Sequence, residues 1–460
     1  MNKTLLFILS VILSICVHGQ NVLYGLTYGG GKDTAGVLFS YNTITGKDSI
    51  LLNFTQQTGY NPAASPMQAK GGLVYMLTMN GGTYGNGTLL SYNPTTGVDS
   101  VLINFQTISS QSTPLEGIDG KLYILLSLGG TSNVGCILRY DPVTRKDSVV
   151  FSLGGVMGVY GEGSLFQASN GLIYGRSAAN PETLFSFDPV SGKGLVCFTY
   201  DSLKGMYPMS DLIQANNGLI YGTTMDGGCC TANMGILYSY NPATGKDSML
   251  KSLDTITGGN PRGKLVQASN GLLYGTTTFG TYAAGTIFSY NITNGVYTVL
   301  VNFNQYTEDN PWGGLTQASN GILYGMSLWG GTYQFGTLYS FDPITGKDSV
   351  LINFHDTLGA SPWGNLIGVH TTVGINEIQK PAEHITVYPN PVTSFTNLEF
   401  SNYGKHTINL EDITGRCIKT IEFTGNSYKL AKDKLAPGIY LLQFSGSEHF
   451  DYAPKKIIIQ

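Results

Sequence analysis

Residues 310–354 read NPWGGLTQASNGILYGMSLWGGTYQFGTLYSFDPITGKDSVLINF. This stretch holds four short apolar runs, at residues 315–317, 322–326, 336–341 and 348–354. Asn-Gly, Gly-Gly and Asp-Pro-Ile-Thr-Gly separate the runs, and these residue types supply the positive or fixed φ that tight turns need. The stretch therefore predicts a unit of four short antiparallel strands.

The unit recurs along the chain, and the tyrosine of its second apolar run marks each copy. This tyrosine returns every 47–53 residues, at Tyr24, Tyr75, Tyr123, Tyr174, Tyr221, Tyr274 and Tyr324. Four-stranded repeats with a period of about 50 residues are typical of β-propellers of the kelch kind. The sequence thus predicts an all-β fold in which residues 20–370 form a seven-bladed β-propeller.

The two ends of the repeat region complement each other. The first copy begins at Asn21 with its second strand, whereas residues 361–367, SPWGNLI, match residues 310–316, NPWGGLT, at the start of the last copy. Such a segment can supply the missing innermost strand of the first blade, which removes the open sheet edges of a linear array. We therefore expect a propeller closed by its C-terminal strand.

The N-terminal region and the composition indicate an exported protein. Residues 1–19 combine Lys3, an apolar run and a small residue before Gln20, which predicts a signal peptide, with a lipid anchor on Cys16 as the alternative. No later apolar run approaches the roughly 20 residues of a membrane-spanning helix. The formal net charge of −4 offers no basic surface for nucleic acid.

The cysteines do not form a regular pattern. The five that follow the predicted signal peptide are odd in number and unevenly spaced, which does not indicate a disulfide framework. Cys136 and Cys197 lie within strand patterns, where we expect buried thiols. Cys229 and Cys230 follow Gly-Gly in a loop, where the alternatives are a vicinal disulfide and two free thiols.

Strand polarity assigns the four connections of each unit to two faces. The Ser-Asn-Gly and Pro-x-Thr-Gly turns share one face and hardly change between copies, whereas the other two connections vary in length and content. Binding residues on rigid scaffolds concentrate in variable loops. We therefore expect the functional site on the second face, called the variable face below.

One position of the variable face should lie at the rim of the central channel, where each innermost strand begins. Alignment of the copies places there Ala63, Leu115, Glu162, Met209, Arg262, Trp312 and Trp363, and the loop between the last two copies' tryptophans adds Trp329 and Tyr333. All three tryptophans thus map to one sector. Exposed aromatic rings beside polar groups bind sugars or peptides. The pattern predicts a ligand platform, and the alternative is that each indole packs into the core of its own blade.

Motifs for metal, cofactor or catalysis are absent from the sequence. The propeller region has only two histidines, His355 and His370, and no HExxH or Cys/His cluster. Glu162, Glu308 and Asp309 lie on the variable face, so a polysaccharide hydrolase or lyase remains an alternative to a binding protein. A passive surface protein is the other alternative. Recurring aspartates at a hairpin exit are expected to form turns; they are Asp48, Asp99, Asp147, Asp247 and Asp348.

Two motifs carry a resemblance to a known repeat family. Residues 217–224, NGLIYGTT, and residues 336–341, GTLYSF, resemble the GloVer tandem repeats of secreted bacterial proteins. All seven copies share the pattern, and the fourth shares it least, because it runs RSAANP at residues 176–181 in place of the Gly-Gly loop. The resemblance implies a propeller but no particular reaction.

A separate module follows a polar linker at residues 371–384. Residues 385–460 hold about seven short alternating runs, including those at residues 396–400 and 406–410, which predict a small Ig-like β-sandwich. The motifs YPNP, DITGR, LAPGIY and KKIII closely resemble the type A sorting domain of the bacterial type IX secretion system, with motif residues Tyr388, Pro389, Asn390, Pro391, Gly415, Pro437, Gly438, Tyr440, Lys455 and Lys456. The resemblance implies contact with the type IX machinery and a secreted or outer-membrane surface location. The whole chain is then expected to bind an extracellular carbohydrate or protein, without a cofactor or nucleic acid.

Overall fold

The computed structural model describes residues 21–107, 111–228, 233–370, 385–412, 416–433, 435–446 and 455–459. The chain divides into two compact units, with the boundary after Thr372. The predicted signal peptide, Cys229, Cys230, the predicted linker and Gly415 lie outside the described residues. Within the described ranges, no helix has the length and apolar character needed to cross a membrane.

The described residues of the first unit form 28 short strands and one 3-10 helix at Gly155–Met157. The strands of the first half are β1 (Val22–Gly29), β2 (Val37–Asn42), β3 (Asp48–Asn53), β4 (Met67–Gln68), β5 (Val74–Leu77), β6 (Thr88–Tyr92), β7 (Asp99–Asn104), β8 (Leu115–Glu116), β9 (Leu122–Leu126), β10 (Cys136–Asp141), β11 (Lys146–Ser152), β12 (Val159–Gln167), β13 (Ile173–Ala179), β14 (Thr183–Phe187) and β15 (Gly194–Thr199). Those of the second half are β16 (Ile213–Gln214), β17 (Ile220–Thr224), β18 (Ile236–Asn241), β19 (Lys246–Ser252), β20 (Val266–Gln267), β21 (Leu273–Thr277), β22 (Thr286–Tyr290), β23 (Tyr297–Asn302), β24 (Thr316–Gln317), β25 (Leu323–Ser327), β26 (Thr337–Phe341), β27 (Asp348–Asn353) and β28 (Ala360–Gly368).

These strands form repeated four-stranded antiparallel sheets, seven in residues 21–370 as described, numbered here as sheets 1–7 in chain order. In the last repeat, strands β24 to β27 match the four predicted runs to within about one residue at each end, a normal uncertainty for strand boundaries. The all-β fold of repeated four-stranded sheets is consistent with a propeller-like fold.

Sheet 1 draws its strands from both ends of the first unit. Its order is β28-β1-β2-β3, so the last strand of the unit lies beside the first. The two strands are antiparallel, with Tyr24 opposite Ile367 and Leu26 opposite Trp363. The match between SPWGNLI and NPWGGLT has its structural counterpart in this pairing.

The repeated tyrosine packs between neighbouring sheets. Five of its copies meet an aromatic ring of the next sheet, with ring centroids 6.1–6.5 Å apart; the pairs are Tyr24–Tyr92, Tyr123–Phe187, Tyr174–Tyr240, Tyr274–Phe341 and Tyr324–Tyr41. The last pair joins sheet 7 to sheet 1. Aromatic pairs of this geometry add packing energy beyond their buried area, which explains why the repeat retains a tyrosine at this position.

Hydrogen bonds between innermost strands link five pairs of neighbouring sheets in the first unit. At one position of the repeat, a backbone N–H donates to the side chain at the same position of the following sheet. This inner belt consists of Ser65, Thr113, Ser164, Asp211, Gly314 and Asn365, and its last link runs from the N–H of Asn365 to the hydroxyl of Ser65.

A second set of bonds lies at the other end of the same strands. Here a backbone N–H of one sheet donates to a glutamine or glutamate side chain of the next sheet, at 2.8–2.9 Å. The acceptors are Gln68, Glu116, Gln167, Gln214, Gln267 and Gln317. The glutamine of the repeat therefore serves the packing of the sheets.

The second unit differs from the predicted two-layer sandwich of about seven short strands. Its described strands form one five-stranded sheet: β29 (Ile385–Tyr388), β30 (Phe395–Asp412), β31 (Cys417–Ala431), β32 (Gly438–Gly446) and β33 (Lys455–Ile459). The predicted runs 396–400 and 406–410 are one strand, because β30 continues through a register shift and pairs with β29, β31 and β32. A bridge from Val392 to Ile459 makes the sheet nearly barrel-like around a core that includes Leu398, Ile408 and Leu442.

Of the two cysteines expected to be buried thiols, Cys136 is buried and Cys197 is only partly buried. Both are free. Burial raises the pKa of the Cys136 thiol to about 11, which keeps it protonated and unreactive at neutral pH.

Candidate functional site

The innermost strands of the first unit surround a channel, and its mouth on the variable face is a cavity of about 70 Å³. Six of the seven predicted rim residues line this channel mouth: Ala63, Glu162, Met209, Arg262, Trp312 and Trp363. Each stands four residues before the strand residue that pairs with a repeat tyrosine. Repeat register therefore brings together residues that are up to 300 positions apart.

The seventh predicted rim residue, Leu115, is wrong. In sheet 3 the strand residue opposite Tyr123 is Leu115 itself, so the rim position four residues earlier belongs to Gln111, which lines the mouth. The error arose because the third copy lacks the Asn-Pro pair used for alignment, and its only nearby proline, Pro114, stands four positions later in the repeat. Counting twelve residues back from the repeat tyrosine would have found Gln111.

Two tryptophans form an aromatic wall at the mouth. The indoles of Trp312 and Trp363 pack edge to face, with ring centroids 4.3 Å apart, and the ring of Tyr28 lies 5.6 Å from that of Trp363. The Trp312 Nε1–H donates to Asn310 Oδ1 at 2.8 Å, which orients the indole. Both indoles are partly buried, so they leave part of their surface at the mouth.

The other two predicted platform residues lie apart from this wall. Trp329 and Tyr333 stand on the connection between β25 and β26 and do not line the channel mouth. They are 44% and 55% exposed, and the described ring contact of Tyr333 is with His355 at 5.6 Å. The structure therefore separates the predicted aromatic sector into a mouth pair and an outer exposed pair.

Charged side chains line the mouth together with the tryptophans. The guanidinium of Arg262 lies over the Trp312 ring, 4.2 Å from its centroid, a cation–π arrangement. Burial lowers the pKa of Arg262, while Asp226 and Glu162 oppose that change. Burial raises the pKa of Glu162 above its usual range, and the positive charges of Arg176 and Arg262 act in the opposite direction.

Three functional candidates were missed by alignment of the rim position alone. Asp211 and Lys264 line the mouth two residues after Met209 and Arg262, at the level of the inner belt. Arg176, on β13, lies behind the wall, with its Nη2 3.9 Å from Asp211 Oδ1. The sequence signal for Arg176 is its position two residues after the repeat tyrosine, where the other copies have Leu, Thr or Met.

The inner belt separates the mouth from a larger space below it. That lower cavity has a volume of about 700 Å³, within the range of small-molecule pockets. Met67, Leu115, Phe166, Ile213, Val266 and Ile367 supply its apolar walls. Leu115, expected at the rim, thus lies in the lower cavity.

Metal ligands are not gathered at either cavity. Among the described residues, no group of three or more His, Cys, Asp or Glu side chains could hold a metal ion. The mouth instead offers aromatic faces, two carboxylates and two cationic side chains, which can stack on a sugar ring and exchange hydrogen bonds with hydroxyl groups.

The sorting-motif residues of the second unit join its two chain ends. Asn390 Oδ1 accepts a hydrogen bond from the N–H of Ile458 at 2.9 Å, and the N–H of Val392 donates to Ile458 O at 2.7 Å. Arg416 pairs with Asp412, and the Tyr440 hydroxyl donates to Ala436 O. The first and last motifs are therefore packed as one structural feature.

Repeated sheets followed by such a module define a repeat protein with a C-terminal export domain. Residues 12–182 and 176–388 match the Gloeobacter/Verrucomicrobia repeat, and residues 386–460 match the secretion system C-terminal sorting domain. The chain belongs to the Gloeobacter/Verrucomicrobia repeat family. Its sorting domain indicates export to the cell surface or outside and implies interaction with the type IX secretion machinery. The relationship to kelch repeats stays a prediction.

Solved structures resemble the chain at low sequence identity. A candidate 6-phosphogluconolactonase from Bacteroides fragilis is 13% identical, with 76% of this chain and 98% of that chain covered and a TM-score of 0.53. PorZ, a surface component of the type IX secretion system of Porphyromonas gingivalis, is 13% identical, with 93% and 64% covered and a TM-score of 0.46.

The extracellular domain of a candidate hybrid two-component system from B. thetaiotaomicron is also 13% identical, with 87% and 55% covered and a TM-score of 0.44. The chain thus spans less than two thirds of the length of this protein and of PorZ. A comparison with curated proteins found no match.

Proposed function

We propose that this protein is a seven-bladed β-propeller, closed by β28, that is exported by type IX secretion and binds an extracellular carbohydrate at its channel mouth. The single observation that carries the binding proposal is the Trp312–Trp363 pair beside the charged groups Glu162 and Arg262 in one cavity. Aromatic faces with adjacent polar groups suit the apolar face and the hydroxyls of a sugar.

Contacts between sheets 7 and 1 support a closed ring of blades. A buried cluster there contains Phe39, Tyr41, Tyr324, Leu338 and Leu366, and corresponding clusters lie between the other neighbouring sheets. The inner belt also continues from Asn365 to Ser65. An open array would leave an exposed sheet face at each end.

The exposed outer pair extends the same binding surface. Trp329 and Tyr333 lie on the variable face of the blade that carries Trp312, and their rings are available to solvent. A saccharide longer than one unit would place one sugar at the mouth and a second against these rings. Binding of this extended kind is expected to depend more strongly on Trp312 and Trp363 than on the outer pair.

A glycan array tests the proposal. The protein should retain one class of glycan, and the double variant Trp312→Ala/Trp363→Ala should bind it at least about 30-fold more weakly, the size expected for buried aromatic hot spots. Tyr84→Ala is the matched control, because Tyr84 is an exposed ring at the position of sheet 2 that corresponds to Tyr333. Unchanged binding by the double variant would remove the mouth from the proposal.

A polysaccharide hydrolase or lyase is the second candidate, favoured by one observation. Glu162 lies in the mouth, and burial raises its pKa, which is the direction that favours a proton-donating carboxyl group. Product formation from an array-positive glycan, abolished in Glu162→Gln, would establish this function. Binding without products would favour the binding protein, and an array without any signal would favour a protein ligand or a passive surface protein.

A further inference from the structure

Arg176 is a charged residue at a core position of the repeat. The equivalent residues of the other sheets are Leu26, Leu77, Leu125, Thr223, Thr276 and Met326. Arg176 is 0% exposed, and among the described residues no hydrogen-bond acceptor contacts its Nε, Nη1 or Nη2. Burying a charge without hydrogen bonds disfavours folding. A charge at a position where other copies have Leu or Met therefore indicates a role other than stability.

Gly163 places this charge directly behind the wall of the channel mouth. Gly163 lines the mouth, and a Cβ atom built on it would collide with Nη2 of Arg176. The guanidinium is therefore separated from the cavity by one layer of backbone. Its partner Asp211, with Oδ1 3.9 Å from Nη2, lines the same cavity and also accepts the Ser164 N–H.

The charges around the mouth balance only when Arg176 is counted. Glu162 and Asp211 line the cavity and Asp226 acts electrostatically on Arg262, whereas Arg262 and Lys264 line the cavity and Arg176 adds the third positive charge from behind. With a volume of about 70 Å³ the mouth is the smaller of the two cavities along the channel, so the charged groups that line it lie close together.

We propose that the channel mouth selects saccharides that carry a carboxylate, and that Arg176 is the residue that determines this selectivity. This inference rests on the proposed carbohydrate binding. The sugar ring stacks on the tryptophans, and its carboxylate enters the small cavity near Arg262 and Lys264. Arg176 acts through space, offsetting the negative charge of Asp211 and Glu162 that would otherwise repel the carboxylate. A uronic acid is the saccharide class that fits this arrangement.

The experiment compares oligomers of galacturonic, glucuronic and mannuronic acid, each with its carboxyl-reduced neutral counterpart. Binding is followed by tryptophan fluorescence at low and high salt, because a charge effect weakens as salt screens it. The full chain should prefer at least one acid over its neutral counterpart by about tenfold or more, the effect expected of one nearby charge. The Arg176→Met variant should bind the carboxyl-reduced oligomer within about twofold of the affinity of the unchanged protein. It should no longer prefer the acid oligomer.

Thr223→Val is the matched control, since Thr223 has the equivalent position in sheet 5 and its hydroxyl also lacks a partner among the described residues. This variant should keep the preference, and both variants should melt at or above the temperature of the unchanged protein. The inference would be overturned if Arg176→Met kept the preference for the acid, or if the unchanged protein bound the acid and neutral forms equally. Either result would leave carbohydrate binding intact. Binding to neither form of any pair would overturn it as well, and the glycan array would decide carbohydrate binding separately.

Discussion

The backbone N–H of Asn365 donates a hydrogen bond to the hydroxyl of Ser65 at 2.7 Å, across 300 positions of the chain, and the Asn365 side-chain amide donates to the same oxygen at 3.0 Å. The bond joins β28, the last strand of the first unit, to the strand region that opens sheet 2. It is the link of the inner belt that runs from the last strand of the unit to sheet 2, so its strength reports how firmly the last strand is held.

Ser65→Ala should therefore destabilise the first unit. Ser65 is 6% exposed, and its removal leaves two donors of Asn365 without their acceptor. The free energy of unfolding should fall by about 1–3 kcal/mol, the usual loss for buried groups left unsatisfied. Urea denaturation of this variant and of Ser49→Ala, an exposed serine whose hydroxyl donates to the adjacent Asp48 O, measures the difference. Equal stability of the two variants would contradict the closing role.

Truncation tests the same closure at the level of the whole strand. A chain that ends after His370 keeps β28 and should unfold in one cooperative transition, at a higher temperature than a chain without β28. A chain that ends after Gly359 loses β28 and with it Leu366, which packs with Leu23 and Phe39 of sheet 1. Its unfolding, followed by circular dichroism, should become broad and begin at a lower temperature. Identical melting of the two chains would show that the ring does not depend on β28.

Much of this architecture could be predicted because it depends on repetition. The tyrosine spacing gives the number of sheets in the first unit, and the strand bounds follow from turn residues such as Asn320 and Gly321. Hydrogen bonds between residues that are distant in the sequence could not be predicted in the same way. The inner belt uses Ser, Thr, Asp and Asn side chains interchangeably as acceptors, so no single residue type marks it in the sequence.

The candidate site was predicted where the repeat register was unambiguous and missed elsewhere. Six rim residues were found through their repeat position, but Leu115 was assigned instead of Gln111 because the third copy has a different residue pattern before its innermost strand. Arg176 was noted only as part of a divergent copy. Its importance depends on its burial and on its contact with Gly163, and a sequence contains neither.

Gly163→Ala tests the close contact between Gly163 and Arg176. Gly163 has a φ of 65°, and an added methyl group would collide with the buried guanidinium. Gly171→Ala is the matched control, since Gly171 has a φ of 83° and open space around its Cα. Both substitutions should lower the free energy of unfolding by about 1 kcal/mol because of backbone strain. Gly163→Ala should lower it by roughly 1–3 kcal/mol more because of overpacking.

The double variant Gly163→Ala/Arg176→Met identifies the source of that additional loss. If the collision with Arg176 causes it, the shorter and more flexible methionine should restore most of the excess, and the two substitutions should be strongly non-additive in a double-mutant cycle. Additive effects in thermal denaturation would mean that Gly163 is required for another reason.

The pH dependence of stability tests the electrostatics of the mouth through Glu162. Because burial raises the pKa of Glu162 in the folded state, the folded protein holds this proton more tightly than the unfolded chain. The favourable contribution of the protonated carboxyl is fully present below its unfolded pKa of about 4.3 and is lost as the pH rises through the raised folded pKa. Glu162→Gln cannot ionise. Its melting temperature should equal that of the unchanged protein near pH 4 and exceed it increasingly towards pH 7.

Asp342→Asn provides a control of opposite sign. Hydrogen bonds from the Ile344 N–H and the Thr345 hydroxyl lower the pKa of Asp342, so its charged form stabilises the fold above the unfolded pKa. Asparagine has the same turn position in other copies and accepts the same backbone bonds, as at Asn42 and Asn241. This variant should be less stable than the unchanged protein at pH 7, with the difference disappearing as the pH falls through the lowered folded pKa. Parallel curves for the two variants would mean that Glu162 is not held in an environment that favours its proton.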